Sequence, residues 1–300
     1  MLQPMIKRTL FFENPAYLST KNNQLVVKLT QTNEVRTVPI EDIGMMVLEN
    51  QQITFTNGLI EKLTYQNAAI VCCNQQHLPL SLISPLSGHS EYNERLRFQL
   101  EASLPLKKNL WQQTIESKID NQANLLGKLN KRNDKLRKWS REVLSGDASN
   151  KESHAAAFYW EHLFDIPGFY RGQKEMPPNN LLNYGYAILR AVCARSLIGS
   201  GMLPALGIHH ANKYNAYCLA DDIMEPYRPF VDEVVHAIVD HSNDYEQLTR
   251  DIKQQLLIIP AIDVKIDGKK SPLMVAMSRT THSLFECFAG ISRKILYPKL

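Results

Sequence analysis

The sequence lacks the features that would place the protein outside the cytosol. No apolar run reaches 18 residues, so we expect no membrane-spanning helix. The N-terminus has no apolar core followed by small residues, and we therefore expect no secretory signal. The five cysteines are an odd number without metal-type spacing, which argues against a disulfide framework and a zinc site. These absences predict a cytoplasmic protein that does not bind membranes.

The amount of charge is ordinary, but its distribution is uneven. Hydrophobic residues make up 44% and charged residues 21% of the 300 residues, as expected for one large globular domain or two smaller ones. The formal net charge is +4. Residues 1–86 contain six basic and six acidic residues, so the whole positive excess lies beyond them.

The first 86 residues are dominated by short β-type runs. Four of them are rich in β-branched residues or continuously apolar: 24–29, 35–40, 43–48 and 68–73. Thr56 is a plausible N-cap for a short helix between the last two runs. We predict a small, mostly antiparallel β domain for packing or association, because it lacks a phosphate-binding glycine loop and a histidine–carboxylate cluster.

The pattern changes within residues 81–90, where Pro85 and Gly88 favour a loop. From about residue 91 the apolar residues recur mostly at helical spacing. The sequence therefore predicts an α+β protein with a β domain over 1–84 and a linker over 85–90. A larger all-α domain follows over 91–300 and contains the candidate metal site.

The segment 125–143 is strongly basic, with seven basic residues against two acidic ones. Lys128, Lys131, Lys135 and Lys138 are three or four residues apart, as on one stripe of a helix. A solvated helix face would explain this pattern, but the scarcity of acidic residues favours binding to phosphate groups. Such contacts supply affinity without sequence readout.

Residues 207–229 concentrate two histidines, two aspartates and a glutamate in an otherwise apolar and aromatic stretch. We predict a helix over 216–225, on which Asp222 and Glu225 share one face. His210 lies on the turn before it. A histidine and two carboxylates that converge suit a divalent metal. An exposed acidic helix with an incidental histidine would show the same pattern.

Glu152 begins an alanine-rich helix, with Ala155, Ala156 and Tyr159 on its own side. Small residues at these positions let another backbone approach closely. A glutamate in a first turn is often only a partner of the helix dipole. Facing a close-packed surface, Glu152 is also a candidate metal ligand.

Four segments occur in a fixed order along the predicted helical domain. They read KIDNQANLLG from residue 118, KESHAAAFYW from 151, PPNNLLNYGYAILRA from 177 and GMLPALGIHH…CLADDIMEPYRPFVDEV from 201. Together they resemble the CRISPR-associated adaptation integrase, the first-numbered Cas protein. The resemblance covers the whole chain. Within the family, the sequence is similar to the short proteins found with type II systems.

The resemblance implies a catalytic site. The implied catalytic residues are Glu152, His210, Asp222 and Glu225, and the metal ligands among them are Glu152, His210 and Glu225. Asp222 has the role of a support or an alternative ligand. His209 and Asp221 are set aside on the family pattern, in which these positions usually carry no ligand.

The resemblance also implies contacts with DNA. The family's asparagine before its L-L-N-Y motif falls on Asn179. The implied DNA-binding residues are Lys128, Lys131, Arg132, Lys135, Lys138, Asn179 and Arg228.

The implied reaction is a transesterification that depends on Mn²⁺ or Mg²⁺. The 3′-hydroxyl ends of captured foreign DNA attack phosphodiesters at the repeat borders of a CRISPR array, and water in their place gives endonuclease activity. The implied partners are double-stranded DNA, a second copy of the chain and the second-numbered Cas protein. The chain would form a homodimer largely through its β domain. Two of these homodimers would flank one dimer of the second-numbered Cas protein. Two alternatives remain from the residues themselves: a general metal-dependent nuclease and a non-catalytic DNA-binding assembly subunit.

Overall fold

The computed structural model describes residues 7–172, 176–241 and 244–300. The chain divides into two compact units, Met1–Ser90 and Glu91–Leu300.

The first unit consists mainly of strands. Its described elements are β1 (Arg8–Phe12), β2 (Ala16–Lys21), β3 (Gln24–Leu29), β4 (Val35–Pro39), β5 (Ile43–Leu48), β6 (Thr54–Phe55), α1 (Asn57–Tyr65), β7 (Ala69–Cys73) and β8 (Pro79–Ile83). They form two four-stranded sheets, with strand orders β1-β5-β7-β8 and β4-β3-β2-β6. The predicted strand domain is confirmed, and all four predicted runs are strands within one residue of their expected bounds.

The strand pairing is mixed rather than mostly antiparallel. Strand β3 pairs antiparallel with β2 and β4, and β7 pairs antiparallel with β8. Strand β5 pairs parallel with β1 and β7, and β2 pairs parallel with β6. Parallel neighbours need a crossover connection, and α1 lies in the connection between β5 and β7.

The core of this unit contains apolar side chains from both sheets and from α1. Leu18 and Leu25 of one sheet join Met46 and Ile70 of the other in a single buried cluster. Helix α1 contributes Leu59 and Leu63 to the same cluster. Its predicted cap is confirmed, because the Thr56 hydroxyl accepts a hydrogen bond from the Leu59 backbone N–H.

In its described residues, the second unit is mainly helical and also contains a β-hairpin. Its described helices are α2 (Tyr92–Glu101), α3 (Leu104–Lys128), α4 (Asp134–Arg141), α5 (Lys151–Leu163), α6 (Asn179–Gly199), α7 (Cys218–Met224), α8 (Arg228–His241), α9 (Arg250–Leu256) and α10 (Leu273–Phe288). Across the three described ranges, no helix combines the length and the apolar character needed to cross a membrane.

The hairpin corrects the prediction that residues 91–300 are entirely α-helical. Strands β9 (Asp263–Ile266) and β10 (Lys269–Pro272) pair antiparallel. Between them Asp267 and Gly268 both have positive φ, 50° and 74°, as a type I′ turn requires. Aspartate followed by glycine is a favoured pair for this turn, so the sequence did contain the signal.

Candidate metal centre

Glu152 lies in the first turn of α5, and a carboxylate fixes the start of that helix. The two side-chain oxygens of Asp147 accept hydrogen bonds from the backbone N–H groups of Lys151 and Glu152, at 2.8 and 3.0 Å. These N–H groups have no partner within the helix, and the negative charge also suits the helix dipole. The position of Glu152 is therefore set by the loop before it.

Glu225 lies where one helical segment gives way to the next. Helix α7 ends at Met224, and Glu225–Tyr227 forms a 3-10 turn before α8. Pro226 has no backbone N–H and cannot continue the α-helical hydrogen bonds. The helix predicted over 216–225 therefore ends one residue early, at Met224, and it also begins two residues late, at Cys218.

His210 lies in a loop that is organised by Asp222 of α7. One Asp222 oxygen, Oδ2, accepts the backbone N–H groups of Ile208 and His209 at 2.7 and 2.9 Å. The other, Oδ1, accepts His210 Nδ1 at 2.5 Å. Gly207 permits this tight loop, because a Cβ there would lie 2.2 Å from the His210 carbonyl oxygen.

These contacts favour one of the two predicted roles of Asp222, support of the histidine rather than metal ligation. Asp222 is fully buried, and both of its oxygens are engaged by the loop. It supports the histidine, as a carboxylate commonly does behind a metal-binding imidazole. With Nδ1 used in this way, Nε2 is the ring nitrogen left to bind a metal.

The charge around His210 is negative. The hydrogen bond to Asp222 raises the pKa of His210, against the opposing effect of partial burial. The charges of Asp222, Glu225 and Glu152 raise it further. The imidazole therefore shares an electrostatic environment with both predicted glutamate ligands.

Lys118 of α3 joins the two glutamates. Its ammonium lies 2.7 Å from Glu152 Oε1 and 2.7 Å from Glu225 Oε2. Burial, the largest single influence, lowers the pKa of Lys118, but Glu225 and Glu152 outweigh it and the pKa is raised. We did not predict a role for this lysine. Its sequence signal is a lysine on the apolar face that Trp111, Ile115 and Ile119 define.

Arg228 also contacts Glu225. Arg228 Nε lies 2.8 Å from Glu225 Oε1, and the guanidinium carbon lies 4.5 Å from the centre of the Tyr186 ring. Burial would raise the pKa of Glu225, but Arg228 and Lys118 together keep it below its usual value. Glu225 is thus held as an anion in a buried position.

Asn121, one turn after Lys118, is a second residue that we did not assign. Its amide nitrogen donates to the carbonyl oxygens of Pro226 and Pro298, at 2.8 and 3.0 Å. One face of α3 therefore holds both the side chain of Glu225 and the backbone that follows it.

The donor atoms of Glu152, Glu225 and His210 suit a divalent ion, but an ammonium lies between the two glutamates. Within the described ranges, no three His, Cys, Asp or Glu side chains already stand together as a metal site. The reason is visible in the contacts, since Lys118 provides the positive charge between Glu152 and Glu225. Glu225 Oε2 is buried, and the ammonium of Lys118 lies 2.7 Å from it. Two carboxylates and one imidazole are a donor set that Mn²⁺ accepts readily.

His209 and Asp221, which were set aside, have other partners. The His209 ring stacks on Trp111, with ring centres 4.1 Å apart. Asp221 lies 2.6 Å from Arg190 Nε and 2.7 Å from the Asn215 amide nitrogen. Both side chains are therefore engaged with residues outside the predicted ligand set.

Comparison with known proteins places the chain in a family. The family model described as CRISPR associated protein Cas1 matches residues 10–254. The chain belongs to the Cas1 family. The CRISPR-associated endonuclease Cas1 of Neisseria meningitidis serogroup C is 36% identical over 294 residues, which cover 97% of this chain and 94% of that protein.

Two solved structures share the fold. A casposase bound to integration product has a TM-score of 0.76 and 17% identity, covering 96% of this chain and 92% of the other. The Cas6-RT-Cas1–Cas2 complex has a TM-score of 0.74 and 18% identity, covering 100% of this chain and 37% of the other. The predicted family, the α+β class and the assignment as a CRISPR-associated endonuclease are confirmed.

The basic segment of this Cas1 chain is not one helix. Helix α3 ends at Lys128 and α4 begins at Asp134, with a positive φ of 57° at Asn130. The prediction that the four lysines form a single helical stripe is wrong, because this break separates Lys128 and Lys131 from the other two.

The predicted phosphate-binding residues differ in their partners. Lys128 forms an ion pair with Glu233. Lys131 is largely buried, 2.9 Å from Asp165 Oδ1 and 2.8 Å from the Leu163 carbonyl oxygen. Three of the predicted residues are instead exposed, and any ion pair they form is long: Arg132, Lys135 and Lys138.

The last two predicted DNA-binding residues have structural contacts. Asn179 is fully buried, and its amide nitrogen donates to the carbonyl oxygens of Tyr170 and Met176, each at 2.9 Å. Its side-chain oxygen accepts Arg171 Nη1 at 2.8 Å. Arg228 is one-quarter exposed and engages Glu225. A contact between either residue and DNA stays a prediction.

Proposed function

We propose that this chain joins the 3′-hydroxyl ends of captured foreign DNA to the repeat borders of a CRISPR array. Each joining exchanges one phosphodiester for another: the 3′-oxygen bonds to phosphorus, and the 3′-oxygen of the array strand leaves. With water as the nucleophile, the same site cuts DNA instead.

Glu152, His210 and Glu225 would hold Mn²⁺ or Mg²⁺ for this reaction. When bound, the ion supplies charge that polarises the phosphodiester and stabilises the leaving oxygen. Asp222 keeps the imidazole oriented with Nε2 toward the ligands. Arg228 keeps Glu225 ionised and in place.

Two buried or half-buried glutamates from separate elements converge on a single cation, beside a histidine that a carboxylate orients. The site lies in a member of the Cas1 family. The fold is shared with a casposase bound to integration product, which supports joining as well as cutting.

The proposed macromolecular partners are double-stranded DNA and the second-numbered Cas protein. The likeness to the Cas6-RT-Cas1–Cas2 complex supports the second of these. We expect the chain to dimerise largely through its β domain, and two dimers to bind one dimer of the partner. Light scattering should then give twice the chain mass alone and a defined larger complex on mixing.

The test is a joining assay with the Glu225→Gln variant. A duplex with free 3′-hydroxyls is mixed with a plasmid that carries a leader and repeat, in Mn²⁺, and joined products are counted. We expect joining to fall by at least about 100-fold while duplex binding and circular dichroism stay unchanged. Glu161→Gln, on the exposed face of α5, is the matched control. Full joining by Glu225→Gln would overturn the site.

A further inference from the structure

We propose that Lys118 competes with the divalent ion for its two glutamate ligands and occupies the space between them until the ion binds. The inference rests on the proposed metal centre. Its basis is that one ammonium lies 2.7 Å from an oxygen of both Glu152 and Glu225. The ammonium therefore contacts one carboxylate oxygen of each glutamate, where an ion held by both glutamates would also bind.

The contacts of Glu225 show why the ammonium and the ion exclude each other. Its Oε1 is engaged by Arg228 at 2.8 Å. Its Oε2 faces Lys118 and is buried away from solvent. Because Arg228 engages Oε1, an ion held by both glutamates would take Oε2, where it would repel the nearby ammonium.

Lys118 also has a use before the ion binds. The Glu225 side chain is 7% exposed and that of Glu152 is 28% exposed, so two carboxylates alone would repel across a poorly hydrated gap. They lie on different elements, α5 and the turn before α8. The ammonium keeps both elements together while no ion is bound.

The alternative is that Lys118 stays in place and helps to hold a loaded site. The two roles predict opposite effects on metal affinity. A competitor lowers the apparent affinity for the ion, so its removal strengthens binding. A supporting residue raises the affinity, so its removal weakens binding.

The experiment measures Mn²⁺ binding to the full chain by isothermal titration calorimetry, without DNA. We expect Lys118→Met to bind Mn²⁺ on the order of tenfold more tightly than the unaltered chain. Its melting temperature should fall without Mn²⁺ and recover with it. Lys253→Met, which removes a buried lysine of α9, should bind Mn²⁺ like the unaltered chain.

A second measurement needs no variant. Amine labelling followed by mass spectrometry reports the accessibility of each lysine in the unaltered chain. Saturating Mn²⁺ should increase labelling of Lys118 several-fold and leave Lys131 unchanged. This reading stands even if Lys118→Met does not fold.

The outcomes separate the two proposals. If the unaltered chain binds Mn²⁺ but Lys118→Met binds equally or more weakly, competition is wrong and the metal centre stands. Unchanged or reduced labelling of Lys118 in Mn²⁺ would have the same meaning. If neither the unaltered chain nor Lys118→Met binds Mn²⁺, the metal centre itself fails, and competition fails with it.

Discussion

Asp222 receives His210 Nδ1 on one oxygen and the backbone N–H groups of Ile208 and His209 on the other. A single buried carboxylate thereby fixes both the ring and the loop that carries it. The two predicted acidic residues on this segment thus have different roles. Asp222 holds the loop together, and Glu225 contacts the ammonium of Lys118.

Replacing Asp222 should separate orientation from ligation. Asp222→Asn keeps the shape of the side chain but removes the negative charge and one of the two oxygens that accept these N–H groups. We expect Mn²⁺ affinity and joining to fall by about 10–100-fold, the usual cost of losing a carboxylate behind a metal-binding histidine. Joining assays and calorimetry measure this. Asp120→Asn, an exposed change on α3, is the control and should leave both unchanged.

The His210 loop should also be sensitive to one added methyl group. A Cβ on Gly207 would lie 2.2 Å from the His210 carbonyl oxygen and 2.8 Å from Asp222 Oδ2, so Gly207→Ala must displace the loop. We expect joining to fall by at least about tenfold, because small misplacement of a catalytic group is costly. Circular dichroism should be unchanged. In the β domain, Gly58→Ala meets its nearest neighbour at 3.7 Å and should have no effect.

The strand domain was predictable because its signals are local. Continuous apolar runs and one threonine cap identified β5, β7 and α1. Pairing direction was harder to predict, because it depends on which distant strands become neighbours. The hairpin at Asp267 and Gly268 was missed although its turn pair was present.

The candidate site was predictable in part for a different reason. Glu152, His210 and Glu225 followed from the resemblance, which assigns functions to positions. Lys118 and Asn121 did not, because their roles depend on the packing of α3 against elements more than 30 residues away. A lysine on an apolar helix face is the one local sign of such a role.

The exposed and paired halves of the basic segment should contribute differently to DNA binding. Lys135→Gln and Lys138→Gln should each reduce the slope of log affinity against log salt by about 0.9, the value for one lost phosphate contact. Lys128→Gln and Lys131→Gln should change it less, because acidic side chains already neutralise these two lysines. Fluorescence anisotropy of a labelled duplex at several NaCl concentrations measures the slopes. Equal slopes for all four variants would contradict the division.

A buried carboxylate on α8 lies outside the metal centre and should influence stability. Asp232 is 1% exposed and accepts the hydroxyl groups of Tyr159 and Tyr186 at 2.7 and 2.5 Å. Burial raises its pKa from 3.8 to about 6, although both hydrogen bonds act in the opposite direction. Between these two values the folded state therefore holds a proton that the unfolded state has released.

The stability of the protein should accordingly depend on pH through Asp232. A carboxyl group with a raised pKa in the folded state stabilises it most below pH 3.8, and this contribution is lost as the pH rises through about 6. The loss should amount to at most about 3 kcal/mol. The free energy of unfolding in urea, measured between pH 4.5 and 7.5, should therefore fall for the unaltered chain relative to Asp232→Asn. Asp240→Asn, on the exposed side of α8, should keep a constant difference from the unaltered chain. A difference that is also constant for Asp232→Asn would mean that Asp232 is already ionised at the lowest pH, held by the two tyrosine hydroxyls.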